Sequence, residues 1–398
     1  MSWLSKWQAV AALLLSVSLS PALAEIPASE RAVLEALYNN TDGDNWTNNS
    51  GWNGPAVCPG PVDLGSGVSA SPWFGVYCGA NDGTYDHVVF VTLGDNNLTG
   101  PLPALANLTE LRRFFAYSTN SDGSSNVTSL PPDLASLTKL ERFSVAGNGP
   151  GLTGTIPSLS ALTNLAQFRV NHNGLTGSLP SLVGLNNLEL FWAQNNGLTG
   201  PIPALSGLTA LIDFEVDSNQ LTGSIPSLSG LTNLQVFTAF TNRLTGALPS
   251  LNGLTALRAF SVANNQLTGP IPPLVGQGLS ALRRFRVHRN QLTGPVPDIT
   301  GLSLESFAVG FNQLTGPVPT APATLLAGDS ILCPNNLSQP YPASPAWDAA
   351  TGSTPWWSAC AAAATAGVAA VPTLGEWALI LLGLMMAGLA ALRRVGRA

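Results

Sequence analysis

Apolar residues recur along most of this chain in a pattern that repeats about every 23 residues. In one repeat, Phe214 and Val216 alternate with polar residues, and this alternation predicts a short strand with one buried face. Asn219 follows where the chain must turn, and its amide can hydrogen-bond backbone groups that a turn leaves open. The segment L-T-G-x-I-P comes next, in which glycine permits a tight bend and proline ends the segment. A period of this length predicts a solenoid whose units stack on one another.

Ten repeats can be counted from the position of the asparagine after the strand, and the second copy is degenerate because it carries Thr119. The asparagine position falls at residues 96, 119, 148, 173, 196, 219, 242, 265, 290 and 312. Nine repeats have phenylalanine at the first strand position, namely Phe114, Phe143, Phe168, Phe191, Phe214, Phe237, Phe260, Phe285 and Phe307. Stacking would bring equivalent residues together, so we predict an aromatic spine in the core and a ladder of asparagine side chains beside it.

The repeats resemble the plant-type class of leucine-rich repeats, which share the L-T-G-x-I-P segment. The resemblance covers residues 88–319, and the chain departs from the family by having phenylalanine in place of leucine at the first strand position. The resemblance implies an α/β-type repeat solenoid, curved and right-handed, with a short-stranded parallel sheet on its concave face. A solenoid offers one long surface and no enclosed pocket, so binding is the function that we expect first.

The first residues predict a secretory signal. Lys6 precedes an apolar run at residues 9–19, and Ala22-Leu23-Ala24 supplies a small-residue cleavage site before Glu25. We therefore expect export and removal of residues 1–24. A buried N-terminal helix is the alternative interpretation of the same apolar run.

Four cysteines in an exported chain favour disulfides. Cys58 and Cys78 precede the repeats, whereas Cys333 and Cys360 follow them. A solenoid would hold these two pairs far apart, and a disulfide requires Cα atoms within about 7 Å of each other. We therefore predict the disulfides Cys58–Cys78 and Cys333–Cys360, each of which would close an end cap.

The C-terminal residues predict a membrane helix preceded by a short motif. The motif reads V-P-T-L-G-E-W at residues 371–377, an apolar run follows at residues 378–392, and arginines end the chain. A single helix with its basic end in the cytoplasm fits this pattern. The segment resembles the IPTL-CTERM class of bacterial sorting signals, with valine in place of isoleucine. The residues that carry the likeness are Val371, Pro372, Thr373, Leu374, Glu376, Trp377, Arg393 and Arg394.

Membership of the IPTL-CTERM class would imply processing by an exosortase-type membrane transpeptidase in a Gram-negative bacterium. A permanent single-span anchor is the alternative.

The run W-F-G-V-x-C at residues 73–78 resembles the N-terminal cap of plant-type leucine-rich repeat proteins. We expect six segments along the chain. They are a signal peptide (1–24), an N-terminal cap with a short helix at 29–38 (25–86), the repeats (87–320), a C-terminal cap (321–360), an alanine-rich spacer (361–370) and the sorting signal with its transmembrane helix (371–398).

Charge and residue chemistry argue against several function classes. Four of the 16 basic residues and one of the 22 acidic residues lie in the leader and the tail, which leaves the remainder with a net charge of about −9. An acidic chain disfavours nucleic acid as a partner. No Ser/His/Asp set, pair of catalytic carboxylates, phosphate loop or metal-ligand spacing can be assembled from the sequence. We therefore expect no enzymatic activity, no cofactor and no metal.

The concave face is the surface on which we expect a ligand. Residues beside the buried strand positions would point outward, and aromatic side chains next to charged ones are typical of binding hot spots. The predicted ligand-binding residues are Phe115, Tyr117, Arg169, Trp192, Glu215, Asp217, Phe240, Arg286 and His288. A protein or peptide ligand for a cell-surface recognition or adhesion protein is the first hypothesis. A glycan of the extracellular matrix and a passive structural role are the alternatives.

Overall fold

A computed structural model describes residues 24–55, 57–58, 68–79, 86–118, 126–358 and 360. The chain divides into two compact units, residues 1–243 and 244–398. Nearly all of the predicted signal peptide, the alanine-rich spacer and the sorting signal with its transmembrane helix lie outside the described residues. Within the described ranges, no helix has the length and apolar character that crossing a membrane requires.

The N-terminal cap of the first unit combines one helix with short, mostly antiparallel strands. Its elements are β1 (Ala24–Glu25), α1 (Ala28–Asn40), β2 (Val57–Cys58), β3 (Val68–Ala70), β4 (Val76–Gly79) and β5 (His87–Thr92). Helix α1 buries Val33, Leu34 and Leu37, which confirms the helix predicted at 29–38. Strands β3, β4 and β5 pair in antiparallel order and begin the main sheet. Strand β5, the strand of the first repeat, therefore pairs with the cap on one side and with the strand of the second repeat on the other.

The repeats of the first unit contribute further parallel strands, six of which join this sheet. These strands are β6 (Thr99–Pro101), β7 (Arg113–Phe115), β8 (Asn126–Ser129), β9 (Arg142–Ser144), β10 (Gln167–Arg169), β11 (Leu190–Trp192), β12 (Asp213–Glu215) and β13 (Val236–Thr238). The main sheet runs β3-β4-β5-β7-β9-β10-β11-β12-β13, and β7 to β13 pair with phenylalanine opposite phenylalanine. Strands β6 and β8 pair separately, at the L-T-G segment, where sequence analysis predicted only a bend.

The second unit repeats this arrangement. Its elements are β14 (Ala259–Ser261), β15 (Thr268–Pro270), β16 (Arg284–Arg286), β17 (Gln291–Thr293), β18 (Ser306–Ala308) and α2 (Pro345–Thr351). Strands β14, β16 and β18 form parallel pairs, again with phenylalanine opposite phenylalanine, while β15 pairs with β17. The described architecture is thus that of a β-solenoid.

The predicted aromatic spine is confirmed within each unit. In the first unit, ring centroids from Phe114 to Phe237 are 5.4–5.7 Å apart, with planes inclined by no more than 20°. In the second unit, Phe285 lies 5.9 Å from Phe260 and 6.0 Å from Phe307. All these side chains are buried. One phenylalanine in each turn fills the space that would otherwise remain between successive strands.

The asparagine ladder is also confirmed, and Asn219 shows its geometry. Its Oδ1 accepts a hydrogen bond from the backbone N–H of Leu198 at 3.0 Å, in the preceding turn. Its Nδ2 donates to the carbonyls of Ala193 at 3.0 Å and Val216 at 3.1 Å. The side-chain amide therefore forms hydrogen bonds with backbone groups of two successive turns, and these groups have no partner in a neighbouring strand.

Both predicted disulfides are present. The Cα atoms of Cys58 and Cys78 are 5.8 Å apart, and those of Cys333 and Cys360 are 5.0 Å apart. In the C-terminal cap, Trp347 of α2 is buried, its ring centroid lies 6.2 Å from that of Phe307, and its indole N–H donates to the carbonyl of Pro319 at 2.9 Å. The cap thus covers the last spine ring with another aromatic ring.

Candidate ligand-binding surface

One side of the main sheet in the first unit carries polar and aromatic side chains. The phenylalanine of each strand is buried, so the residues beside it in the strand lie on the opposite side of the sheet. We call this surface the strand face. It comprises Phe90, Arg113, Phe115, Tyr117, Arg142, Arg169, Asn171, Trp192, Gln194, Asp213, Glu215, Asp217, Thr238 and Phe240.

Two arginines of the strand face are stacked on aromatic rings of neighbouring strands. The guanidinium carbon of Arg113 lies 4.5 Å from the ring centroid of Phe90, and that of Arg169 lies 4.4 Å from the ring centroid of Trp192. Such stacking attracts the cation to the ring and orients the plane of the guanidinium group. Both guanidinium groups are therefore held in a defined orientation on the surface.

Predicted residues Phe115 and Tyr117 lie together at the N-terminal end of the strand face, with ring centroids 6.3 Å apart. The ring of Tyr117 lies against the backbone of Gly94, where a Cβ atom would come within 2.5 Å of the tyrosine Cζ. A side chain at position 94 would thus displace the ring. Glycine at this position lets the tyrosine lie low over the neighbouring strand.

Three carboxylates follow one another on and just after strand β12. Burial raises the pKa of Asp213 and of Asp217. Burial also raises the pKa of Glu215 to about 7, helped by the negative charges of Asp213 and Asp217 on either side. The side chain of Gln194 donates a hydrogen bond to Glu215 at 2.7 Å. This part of the surface therefore favours any group that brings positive charge or a proton.

Asp217 is less available than the sequence suggests. Only 5% of the residue is exposed, because Thr238 donates to its Oδ1 at 2.8 Å and Ser218 lies 3.3 Å from its Oδ2. Asp217 therefore links adjacent turns and contributes charge beneath the surface. The more accessible acid beside it is Glu215, whose exposure is intermediate.

Several buried polar atoms of the strand face have no hydrogen-bond partner of ordinary geometry. They are Arg113 Nε, Arg169 Nε, Asn171 Oδ1, Trp192 Nε1, Gln194 Oε1 and Asp213 Oδ1. Five of these atoms lie on three successive strands, β10 to β12, or just beyond them. An unpaired buried polar atom costs about 1–3 kcal/mol, so this concentration marks a surface whose polar groups a ligand could satisfy.

The two predicted residues of the second unit are engaged differently. Arg286 donates to both oxygens of Asp329, at 2.6 and 2.7 Å, and to the hydroxyl of Ser306 at 3.0 Å. Burial lowers the pKa of His288 to about 4, helped by the nearby arginines, so this residue is neutral at neutral pH. The charge of Arg286 is thus partly neutralised by Asp329 of the C-terminal cap.

The structure brings Arg169 and Trp192 into contact and places Glu215 on the next strand, with Phe240 one strand further. Sequence analysis missed Phe90, Arg113 and Arg142 as members of the same surface. The signal was available, because the residue before the buried phenylalanine faces outward just as the residue after it does. Only the second of these two positions was used for the prediction.

Comparison with known proteins agrees with this architecture. Residues 369–394 match the IPTL-CTERM motif. No curated protein sequence matches the chain. The chain is similar to the leucine-rich-repeat ectodomain of the Arabidopsis thaliana membrane receptor kinase GASSHO1/SCHENGEN3, solved in complex with CASPARIAN STRIP INTEGRITY FACTOR 2. The two share 30% identity with a TM-score of 0.65, over 78% of this chain and 36% of the receptor chain.

Two other solved structures are informative. The ectodomain of the Arabidopsis receptor kinase HAESA, in complex with an N-terminally extended IDA peptide hormone ligand, is 26% identical with a TM-score of 0.56, over 77% of this chain and 49% of that one. A plant ice-binding protein is 21% identical with a TM-score of 0.57, over 80% of this chain and 98% of that one, a likeness of fold alone. This chain spans less than half the length of either receptor chain.

These comparisons show an IPTL-CTERM motif at the C-terminus and a fold similar to that of plant leucine-rich-repeat ectodomains. The fold is shared by peptide-bound receptors and by an ice-binding protein, so fold alone does not define the ligand.

Proposed function

We propose that this chain is an exported, cell-surface recognition or adhesion protein that binds a protein or peptide on the strand face of its first unit. In this proposal the strand face is the concave surface of the solenoid. Trp192 and Phe240 supply apolar contact area, while Arg169 and Glu215 supply charge of opposite sign. The chain acts by binding and not by catalysis.

The observation that carries this proposal is the concentration of unpaired polar atoms around the Arg169–Trp192 stack. Arg169 Nε, Asn171 Oδ1 and Gln194 Oε1 are all buried without a hydrogen-bond partner. An aromatic side chain flanked by unpaired donors and acceptors matches the composition of interface hot spots, in which tryptophan and arginine are enriched. A polypeptide offers both N–H donors and carbonyl acceptors along its length, so it can pair such atoms on successive strands.

The sorting signal supports the location in which this binding would occur. The IPTL-CTERM match implies export and association with the surface, and an exosortase-type enzyme as a processing partner. We propose that residues 1–24 are removed on export and that the apolar run at 378–392 anchors the chain in the membrane until the signal is processed. The cap, repeat and spacer boundaries given from the sequence complete the proposed organisation.

Retention of surface proteins by the immobilised full-length protein tests the proposal. The wild type would be exposed to bacterial and host surface extracts and, in parallel, to a glycan array. The double variant Trp192→Ala/Phe240→Ala removes both apolar contacts, and we expect it to lose the retained protein while it stays folded, with a melting temperature lowered by only a few degrees through loss of the stack on Arg169.

The matched control is Val183→Ala, which removes an apolar side chain that is 62% exposed and lies between β10 and β11. It should retain the ligand fully. Retention of a glycan in place of a protein would favour the glycan hypothesis. Equal retention of a protein by the wild type and by the double variant would contradict binding at the strand face, and no retention at all would favour a passive structural role.

A further inference from the structure

Three arginines form a strip at the N-terminal part of the strand face. Arg113 and Arg142 are direct cross-strand partners on β7 and β9, so their Cα atoms are separated by about one strand spacing, roughly 4.8 Å. Arg169 lies on the next strand, β10, opposite Ser144 and therefore two residues further along than Arg142. Such diagonal neighbours are about 7–8 Å apart, which long side chains can bridge. We call Arg113, Arg142 and Arg169 the arginine strip.

None of the ion pairs among the described residues involves the arginine strip. Two acids of the same repeats have other partners, because Glu141 lies 3.9 Å from Arg112 and Glu110 binds Lys139 at 2.6 Å. The charge of Asp213 favours the charged form of Arg169 and so raises its pKa, but the two residues form no ion pair among those of the described residues. The strip therefore carries positive charge that the surrounding residues do not neutralise by contact.

Two members of the strip are also preorganised to donate hydrogen bonds. The stacks on Phe90 and Trp192 orient the guanidinium groups of Arg113 and Arg169, and in both the Nε–H is buried without an acceptor. Burial, followed by the charge of Arg142, lowers the pKa of Arg169. An anion placed among the three arginines would relieve their repulsion and supply the missing acceptor. A carboxylate fits best, because guanidinium and carboxylate pair in a planar, bidentate geometry.

The acidic side chains lie only two strands beyond this strip. The sheet order β10-β11-β12 separates Arg169 from Glu215 by Trp192, so the surface is positive at β7–β10 and negative at β12. Building on the proposed function, we propose that the ligand is a peptide segment whose charges complement those of the surface, negative over β7–β10 and positive over β12. Its acidic side chains lie on the arginine strip, and a basic side chain lies against Asp213 and Glu215.

The geometry also gives the spacing of these charges. Strands β10 and β12 are two strand spacings apart, or roughly 10 Å. An extended peptide that crosses the strands rises about 3.3 Å per residue, so about three residues separate its last acidic residue from its basic one. The complete span from β7 to β12 is four spacings, or about 19 Å, which an extended segment of about six residues covers.

Selection from a displayed random twelve-residue peptide library on the full-length protein tests this inference. We expect enriched peptides to contain Asp or Glu about three residues from Lys or Arg. Binding of these peptides should weaken at least about tenfold in Arg142→Gln/Arg169→Gln, which loses charge-assisted hydrogen bonds. Arg142→Gln alone should weaken binding without disturbing the stack on Trp192, and it serves if the double variant does not fold.

Arg112→Gln is the matched control, because it makes the same change of charge next to the strip but removes an arginine already facing Glu141. It should bind the peptides as the wild type does. Enriched peptides without this charge order, or equal binding by the wild type and Arg142→Gln, would overturn the inference while leaving a protein-binding strand face in place. Failure to enrich any peptide would overturn the inference, whereas the proposed function fails only if the retention experiment with Trp192→Ala/Phe240→Ala also contradicts it.

Discussion

The guanidinium carbon of Arg169 lies 4.4 Å from the ring centroid of Trp192, on the neighbouring strand of the same sheet. The two residues occupy equivalent positions in successive turns and are cross-strand partners. The stack makes one continuous surface from a cation and the largest aromatic side chain of the strand face. It also explains how an arginine can be half-buried with no carboxylate in contact.

A double-mutant cycle on this pair should reveal its coupling. We expect Arg169→Ala and Trp192→Leu to be less than additive in their effect on the free energy of unfolding, with a coupling of about 0.5–1 kcal/mol for a partly exposed cation–π pair. Urea unfolding of the wild type, both single variants and the double variant measures it. Strict additivity would show that the stack contributes nothing to stability.

Glu215 should make the stability of the first unit depend on pH. Burial and its two acidic neighbours raise its folded pKa to about 7 from an ordinary 4.5, so between these values the folded state holds more protons than the unfolded state. Stability therefore falls as the pH rises through this window. Asp213 and Asp217, whose pKa values are also raised, act in the same direction.

Glu215→Gln should consequently flatten the dependence of the melting temperature on pH between about pH 5 and pH 8. The difference in melting temperature between this variant and the wild type should be larger at the upper end of that range. Glu35→Gln, which neutralises an exposed acid on α1, is the control for the change in net charge. An unchanged slope in Glu215→Gln would mean that this carboxyl group titrates normally.

The aromatic spine should dominate the stability of the repeats. Phe214 is fully buried, with ring centroids 5.4 Å from Phe191 and 5.6 Å from Phe237. Phe214→Ala removes both contacts and leaves a cavity, so we expect a loss of about 3–5 kcal/mol. Chemical unfolding measures the effect, with Val183→Ala as the control because it truncates an exposed side chain. A loss below about 1 kcal/mol in Phe214→Ala would contradict a packed spine.

Substitutions in the asparagine ladder should reduce stability nearly as much as those in the aromatic spine. Asn219→Ala leaves the N–H of Leu198 and the carbonyls of Ala193 and Val216 without their side-chain partner. Unpaired buried groups predict a loss of about 1–3 kcal/mol. Asn233→Ala removes an exposed asparagine with one hydrogen bond, to Thr209, and should change stability much less. Equal effects of the two substitutions would argue against the ladder.

The repeating features could be predicted because each one recurs in the sequence at a fixed period. The positions of Phe214 and Asn219 can be predicted because equivalent residues occur in the other turns. The contacts that break the period were not predictable. Glu30 of α1 is 2% exposed, accepts a hydrogen bond from the backbone of Val88 at 2.8 Å and lies 2.6 Å from His87 Nδ1. No local pattern connects residues this far apart in the chain.

The same limit applies to the predicted site. Arg286 has the outward position that the alternation predicts, but its partner Asp329 belongs to the C-terminal cap, outside the repeats. Asp217 likewise has an outward position and yet is buried, because Thr238 of the next turn covers it. Periodicity therefore places a residue on a surface, whereas its availability depends on side chains that only the folded structure brings near.

Photo-cross-linking from the strand face tests the central claim most directly. A photoreactive phenylalanine analogue would replace Phe240, whose ring it keeps, in one full-length protein and Val183 in another, and both would be irradiated with the surface extract. Binding at the strand face predicts a cross-linked protein or peptide from position 240 and none from position 183. A ligand that is retained but cross-links only from position 183 would contradict the account.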